Sequence, residues 1–416
     1  MKKKLCRILA LVLIALLCTA CVPSLSSAVS AEGGVGTLVD AAEMFTERDL
    51  SDTPDLSGAE RLSVSDGESL TISAEGVYVL SGTAREACVV VEAEGAKVQL
   101  VLDGVEISNT DFPCLYIKSA DKVFVTTIAE STLSVTGSFR GDGESNTDGV
   151  IFSREDLVLN GTAKLTVSSS ANGVVSKDDL KISSGSYEIS ASGHALEGMD
   201  SVRIAGGSFT LDAGKDAIHA DNDEDAEKGF IYISGGDLTI RASDDGIHAS
   251  AFIQIDGGSF SIRASEGIES TYVLINDGLI DIQASDDGIN AAQKSSARRP
   301  TVEINGGELS IAMGAGDTDG VDANGDLVIT GGTIAVTGKA RGEKKCLNAL
   351  LEESKKAGYK GGKAIITHTE NEEAAMRLKE MVLAEYPDAD VQVIGTRGLC
   401  SYYMERKGVV ISLETE

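Results

Sequence analysis

The 416-residue chain is strongly acidic, since 65 Asp and Glu outnumber 36 Lys and Arg by 29. A chain of this charge repels phosphates, which argues against nucleic acid as a partner. Hydrophobic residues make up 42% of the chain and there are only 5 Pro, so the composition excludes disorder over most of the length. The 7 Cys are too few and too scattered for a disulfide scaffold.

Residues 1–31 are predicted to be an export signal and tether. Lys2, Lys3 and Lys4 precede an apolar stretch, 5–20, that is too short for a comfortable membrane span. The sequence Cys-Thr-Ala-Cys ending at Cys21 resembles a lipobox, which predicts lipidation of Cys21. Cleavage by ordinary signal peptidase after Ala28 or Ala31 is the alternative. We therefore expect a protein that is secreted or lipid-anchored on the extracellular face of the membrane.

Residues 32–60 are predicted to be a linker and N-terminal cap, with a helix over 38–50. From 61 to 337 the chain is a repeat marked by Asp-Gly-Ile-like triplets. Their central residues are Gly173, Ala195, Ala217, Gly246, Gly267, Gly288 and Gly320. Insertions at 221–229 and 294–300, and a longer stretch at 312–318, account for the long intervals, which leaves a period of about 21 to 22 residues.

Each repeat contains short runs of period-two alternation separated by Gly-rich turns. Such alternation is typical of β-strands, and helical repeats would need two longer amphipathic segments in each unit. Stacked rungs would form parallel sheets with inward aliphatic columns. One predicted column is Ile204, Ile233, Ile255, Ile275, Ile304 and Ile329. A second is Leu211, Ile240, Ile262, Ile282, Ile311 and Val336. The pattern predicts an all-β solenoid, with glycine pairs at corners that need positive φ.

The stretch before residue 160 repeats less regularly and predicts irregular early rungs. Cys88 and Cys114 each precede a strand of successive rungs. Their Cα atoms would then fall within disulfide range, so a disulfide and two buried free thiols are both compatible with the sequence.

Acidic side chains recur at one turn of the repeat. The residue before each marker forms a predicted column of His194, Asp216, Asp245, Glu266, Asp287 and Asp319. A second column, two residues after each marker, is Glu197, His219, His248, Glu269, Asn290 and Asp322. Stacked carboxylates repel, and Ca²⁺ suits such a set of oxygen ligands, above all in the dense loops 221–225 and 317–326. A solvated acidic turn is the alternative. The predicted calcium ligands are Asp216, Asp221, Asp223, Asp225, Asp244, Asp245, Asp287, Asp317, Asp319 and Asp322.

Six other residues are candidates for contact with a sugar. His219 and His248 are neighbours in the second column. Because His194 and His368 are expected to lie elsewhere, hydrogen bonding to sugar or plain surface stacking is favoured over a transition metal. Arg241 and Arg263 are predicted to project outward side by side and to contact either a sugar carboxylate or neighbouring acids. Tyr232 and Tyr272 are candidate stacking surfaces.

Several segments together resemble a family of secreted clostridial carbohydrate-binding proteins. The segments are 44–50, 76–82, 117–123, 176–180, 221–233 and 319–332. The resemblance implies a right-handed parallel β-helix related to pectate lyases. It also implies calcium-dependent binding of plant cell-wall polysaccharide, including polygalacturonate, without established catalysis. Ala195 and Ala217 depart from the glycine of the marker.

The tail, 338–416, is predicted to be a small α/β module. Strands at 364–367 and 391–394 flank a helix at 371–386, which resembles the closing β-α-β piece of DegV-type fatty-acid-binding proteins. The rest of that lipid-binding fold is absent, so a capping or fused module is expected.

The first function these observations predict is non-catalytic, calcium-bridged binding of polysaccharide by a monomer. The alternatives are a calcium-dependent polysaccharide lyase with Arg241 or Arg263 as base, and a structural adhesin or surface spacer.

Overall fold

A computed structural model describes residues 36–143, 145–316, 318–340, 363–368, 380, 383–384, 387, 390–395 and 409–414. Cys21, Asp317 and most of the predicted helix at 371–386 lie outside the described residues. Strands form nearly all the regular structure, and a short helix, α1, spans Ala41–Met44. Within the described part of the chain, no helix is long and apolar enough to cross a membrane.

The strands are numbered in chain order. They are β1 (Glu60–Ser63), β2 (Ser69–Ile72), β3 (Gly76–Arg85), β4 (Cys88–Glu92), β5 (Lys97–Asn109), β6 (Leu115–Ser119), β7 (Lys122–Ala129), β8 (Ser131–Val135), β9 (Gly149–Ser153), β10 (Asp156–Gly161), β11 (Lys164–Ser169), β12 (Asn172–Ser176), β13 (Asp179–Ile182), β14 (Ser186–Ala191), β15 (Leu196–Gly198), β16 (Ser201–Ile204), β17 (Ser208–Ala213), β18 (Ile218–Ala220), β19 (Phe230–Ile233), β20 (Asp237–Ala242), β21 (Ile247–Ile255), β22 (Ser259–Ala264), β23 (Ile268–Ile275), β24 (Leu279–Ala284), β25 (Ile289–Ala291), β26 (Thr301–Ile304), β27 (Glu308–Gly316), β28 (Val321–Ala323), β29 (Asp326–Ile329), β30 (Thr333–Ala340), β31 (Lys363–His368), β32 (Asp390–Gly395) and β33 (Val409–Glu414).

The strands pair in parallel, and over much of the chain each pairs with the strand three places further on, as β10 does with β13 and β13 with β16. This pairing builds three ladders. The first ladder contains β1, β3, β5, β7, β10, β13, β16, β19, β21, β23, β26 and β29. The second contains the ends of β3 and β5, then β8, β11, β14, β17, β20, β22, β24, β27, β30 and β33. The third contains β2, β4, β6, β9, β12, β15, β18, β21, β23, β25 and β28.

One circuit of the chain adds a strand to each ladder, and we call this circuit a rung. The arrangement is nearly all-β and parallel, and it is compatible with a solenoid. Both predicted aliphatic columns are confirmed by the register, since Ile233 pairs with Ile255 in the first ladder and Ile240 with Ile262 in the second. These four side chains are at most 2% exposed, so the core lies between the ladders.

Glycine pairs mark the corner between the first and second ladders. The second member of each pair has the positive φ, as at Gly258 with φ 109°. Gly278, which follows Asp277 in place of a pair, has φ 129°. The predicted need for positive φ is confirmed, and it applies to the second residue of the turn.

The N-terminal segment, residues 36–51, lies along the outer face of the first ladder. Leu38 N–H donates to Gln254 of β21 at 2.8 Å, and Asn160 of β10 donates to Ser51 O at 3.0 Å. The expected helix over 38–50 is wrong beyond α1, because the segment is drawn out to follow the ladder across successive rungs.

One buried ion cluster ties this segment to the rungs. The Asp49 carboxylate is fully buried, 3.5 Å from Lys122 Nζ and 3.7 Å from Lys181 Nζ. Burial alone raises the pKa of Asp49, but the hydrogen bonds from Thr46 and the two lysine charges lower it below the usual value. The carboxylate is therefore held ionised between two ladder strands.

Replacing Asp49 with Asn should lower the free energy of unfolding by about 3 kcal/mol, because two largely buried lysines lose a partner. Lys122 and Lys181 keep Asp156 and Asp179, which places the loss at the low end of the range for broken buried pairs. Urea denaturation measures the effect, with Glu47→Gln, an exposed site two residues away, as the matched control. Equal midpoints for the two variants would contradict the assignment.

At the far end, the last strand continues the second ladder. β33 pairs in parallel with β30, with Ile334 opposite Val409. The predicted tail strands are confirmed as β31 and β32, which form a separate parallel pair.

At the early end, Cys88 and Cys114 lie side by side in the third ladder as buried free thiols.

Candidate metal and glycan site

The first predicted column lies at the corner between the second and third ladders, and we call it the corner column. Backbone bonds connect its members, because the N–H after each member donates to the carbonyl of the next. Ala217 N–H donates to Asp245 O at 3.1 Å, and Gly288 N–H to Asp319 O at 2.9 Å. The corner column is therefore His194, Asp216, Asp245, Glu266, Asp287 and Asp319.

The second predicted column lies on the third ladder, and we call it the strand column. Register pairs Glu197 with His219, His219 with His248, and His248 with Glu269. Asn290 and Asp322 continue it. Because side chains alternate along a strand, this column faces outward beside the corner column.

Most rungs have glycine at the marker position because the backbones of neighbouring rungs approach closely at this corner. A Cβ built on Gly288 would meet Gly320 O at 2.5 Å and Ile311 Cγ2 at 2.3 Å. Ala195 and Ala217 take the same place in earlier rungs and are fully buried. Those rungs therefore keep the corner column despite the lost glycine.

Three histidines stack along this edge. The rings of His194 and His219 have centroids 4.1 Å apart, and those of His219 and His248 are 5.2 Å apart. The expectation that His194 lies elsewhere is wrong, because its ring reaches from the corner column diagonally to the strand column of the next rung. The argument against a transition metal loses its basis.

His194 and His219 direct their Nδ1 atoms at one carboxylate. Asp216 Oδ2 lies 2.8 Å from His219 Nδ1 and 3.4 Å from His194 Nδ1. His194 Nδ1 is buried without a hydrogen-bond partner. Burial, and then the neighbouring His219, lower the pKa of His194 to about 4, so this ring is neutral at pH 7.

His248 lies in a different environment, between two carboxylates. Its Nδ1 is 2.9 Å from Asp245 Oδ2 and 3.0 Å from Glu269 Oε2, and Lys294 Nζ is 2.8 Å from Glu269 Oε1. Burial alone lowers the pKa of His248, but the hydrogen bonds to Asp245 and Glu269 raise it to about 10. His248 is therefore a cation that partly neutralises its two neighbours.

This raised pKa makes stability depend on pH. The unfolded ring loses its proton near pH 6.5 and the folded ring near pH 10, so the stabilisation is complete below pH 6.5 and is lost as the pH rises through 10. In the presence of a chelator, the free energy of unfolding should fall by up to about 1.4 kcal/mol per pH unit in that window.

His248→Gln should flatten this pH dependence, measured by urea denaturation between pH 6.5 and 10. His368→Gln changes the same residue type outside the site and should keep the wild-type slope. If the free energy of unfolding depended on pH equally in wild type and His248→Gln, the charged cluster of Asp245, His248 and Glu269 would be contradicted.

In the later rungs, two acids of the corner column have raised pKa values. Burial raises the pKa of Glu266 to about 7, although Asn290 donates a hydrogen bond to it. Burial, with repulsion from Asp286, Asp319 and Asp322, raises the pKa of Asp287 to about 6. These carboxyl groups resist ionisation, and a bound cation would relieve that resistance.

The predicted calcium ligands fall into separate places. Asp216, Asp244 and Asp245 come together, with ligand atoms within 4.8 Å of one another, while Asp287, Asp319 and Asp322 occupy the later rungs. Asp221, Asp223 and Asp225 lie at another corner, between β18 and β19.

The loop at that other corner is ordered by Asn222. Its Oδ1 accepts from the N–H groups of Glu224 and Asp225 at 3.0 and 2.8 Å, and its Nδ2 donates to Asp200 at 2.8 Å. Asp200 and Asp178 line the pocket beside this loop. Sequence reasoning missed both, although their separation of 22 residues is the period of the repeat.

Asp178 is the most perturbed acid of that pocket. Burial, followed by a hydrogen bond with Asp200 and nearby charges, raises its pKa to about 7. Lys228 Nζ lies 2.5 Å from Asp200 and partly balances the pair.

The remaining sugar candidates divide between two faces. Arg241 and Arg263 are paired neighbours on the outer face of the second ladder, as predicted, and both are exposed. Arg263 donates to Gln283 at 2.6 Å, and Arg241 is 4.0 Å from Asp212.

The two tyrosines lie on the first ladder. Tyr232 is only 2% exposed because Phe45 packs against it, so its predicted stacking on sugar is wrong for this structure. Tyr272 is half-buried and donates to Glu303.

The fold and the site define a repetitive, parallel-stranded protein with acids and imidazoles along one corner. The chain belongs to the family of carbohydrate-binding domain-containing proteins, whose sequence model matches residues 66–272 and 264–375. The chain therefore carries a carbohydrate-binding domain.

Other similarities are partial. DegV domain-containing proteins of Streptococcus pyogenes serotype M3 and Streptococcus gordonii are 43% identical over 83 residues. A DegV domain-containing protein of Streptococcus pneumoniae is 38% identical over 85 residues. These matches cover 20% of this chain, which spans 30% of the length of those relatives.

A solved structure is also similar. It is the polysaccharide lyase-like protein from C. thermocellum, in a gadolinium derivative, with 25% identity and a TM-score of 0.44. The similarity covers 65% of this chain and 96% of that chain.

Proposed function

We propose that the protein is a calcium-dependent, non-catalytic polysaccharide-binding protein whose repeat, 61–337, is a right-handed parallel β-helix. The observation that carries the proposal is a row of four carboxyl groups in a carbohydrate-binding domain, at Glu266, Asp287, Asp319 and Asp322. The pKa values of Glu266 and Asp287 are raised.

The donor set of these rungs fits calcium. Carboxylate oxygens of Asp287 and Asp322 and the amide oxygen of Asn290 are hard ligands of the kind that Ca²⁺ takes in flexible geometry. In the earlier rungs Asp216 and Asp245 already face His219 and His248. The later rungs therefore supply the better calcium ligands, and Asp216, Asp244 and Asp245 form a secondary set.

Calcium would let an acidic protein hold an acidic glycan. The ion neutralises protein carboxylates and leaves coordination positions for uronate carboxylates, as its usual six to eight ligands allow. Arg241 and Arg263 on the adjacent outer face supply further charge-assisted hydrogen bonds.

Lys294, which contacts the strand column at Glu269, is poorly suited to act as the base of a lyase. Burial lowers the pKa of Lys294, but the hydrogen bond and charge of Glu269 raise it above the ordinary value. A lysine that keeps its proton at neutral pH does not abstract one from a uronate.

Co-sedimentation with insoluble polygalacturonate should retain the protein in calcium and release it in EDTA. Ultraviolet absorbance of the same mixture reports unsaturated product, and growth of this absorbance would establish a lyase instead. A protein that stays in solution under both conditions is the outcome expected of a structural spacer.

The double variant Asp287→Asn, Asp322→Asn should weaken calcium affinity at least about tenfold, since two ligands lose their charge. Titration calorimetry measures the affinity, and glycan retention should fall with it. Asp281→Asn is the matched control, because Asp281 is exposed in the same rung as Asp287 but on the outer face of the second ladder. Unchanged affinity in the double variant would remove these rungs from the site.

We also propose that the chain is exported and lipid-anchored through Cys21, on the strength of its sequence. Metabolic labelling with a palmitate analogue should mark the wild type in the membrane fraction. Cys21→Ser should abolish the label, and Cys18→Ser is the matched control. Label that persists in Cys21→Ser would contradict the anchor.

A further inference from the structure

The His194–Asp216–His219 cluster differs chemically from the acidic rungs. Two imidazole nitrogens and one carboxylate oxygen converge, and these ligand atoms lie within 4.8 Å of one another. Imidazole is a common ligand of zinc, copper and nickel, whereas Ca²⁺ takes oxygen ligands.

The two distances from Asp216 to the histidine nitrogens are close to those around a tetrahedral ion. Bonds of 2.0–2.1 Å to nitrogen and about 2.0–2.2 Å to oxygen require ligand atoms roughly 3.3 Å apart. Asp216 Oδ2 lies 2.8 Å from His219 Nδ1 and 3.4 Å from His194 Nδ1. The ligand nitrogens of His194 and His219 lie within 4.8 Å of each other, and rotation of the two stacked rings would bring all three atoms to a shared ion.

Two features indicate a built site. His194 Nδ1 is buried and has no hydrogen-bond partner, which is unusual for a buried polar atom. Asp216 is held in place by a second contact, because its Oδ1 accepts from Asp245 N–H at 2.9 Å. The backbone of the next rung therefore fixes the orientation of the central ligand.

The geometry points to a site for a divalent transition ion such as Zn²⁺ at His194 Nδ1, His219 Nδ1 and Asp216, separate from the later calcium rungs and in competition with the secondary calcium set for Asp216. Three protein ligands leave a fourth position for water or a ligand oxygen. The neighbouring Asp245–His248–Glu269 cluster is a weaker candidate, because Lys294 already donates to Glu269.

The test uses the full chain without a histidine tag, stripped with EDTA and dialysed into excess calcium, and titrated with ZnCl₂ in a calorimeter. Wild type should bind one equivalent of Zn²⁺ at this cluster. His194→Gln and His219→Gln should each weaken binding at least about tenfold.

His248→Gln, in the adjacent rung, is the matched control and should leave zinc affinity unchanged. No zinc binding by wild type, equal loss in all three variants, or loss confined to His248→Gln would each overturn the assignment. Thermal unfolding of each variant in EDTA checks that the fold is retained.

A second readout needs no variant. The chain contains only 4 His, so nitrogen-15 spectra of the imidazoles can resolve each ring. Zinc should shift the Nδ1 signals of two rings and leave His368 unchanged, and unchanged spectra would overturn the site. Because calcium is present throughout, failure here leaves the glycan proposal standing, and glycan binding lost in EDTA does not depend on zinc.

Discussion

Parallel strands held in register place equivalent side chains of successive rungs only about 4.8 Å apart. Each side chain therefore contacts the equivalent side chains of the rungs before and after it. For Ile240 and Ile262 the result is a continuous core, and for Gly267 and Gly288 it is a close approach of backbones. For acids the same spacing produces repulsion. Neighbouring histidines and a lysine offset part of this repulsion.

The acidic side chains have three different environments along this edge. Early rungs place imidazoles beside Asp216, the middle rung adds Lys294 and a charged His248, and the later rungs leave Glu266 and Asp287 with raised pKa values. The edge therefore changes from nitrogen-rich to oxygen-rich along the stack. Cations of different chemistry would be sorted by position on one continuous surface.

The sequence predicts what depends on the period. Both aliphatic columns, the corner and strand columns and the neighbouring arginines follow from a fixed spacing, because register converts separation in sequence into contact. The ring of His194 was misplaced because a side chain can reach diagonally between columns, which spacing does not encode. The burial of Tyr232 was missed because Phe45 arrives from a segment outside the repeat. Asp178 and Asp200 were predictable, because their separation of 22 residues equals the period and places them in neighbouring rungs.

The N-terminal segment also shows at which end of the stack the described chain begins. Gly36 O accepts from Asn276, so the described chain begins beside the later rungs and then runs back toward the earlier ones. If Cys21 carries a lipid, as proposed, the membrane tether would join the fold beside the acidic rungs rather than at the early end of the stack.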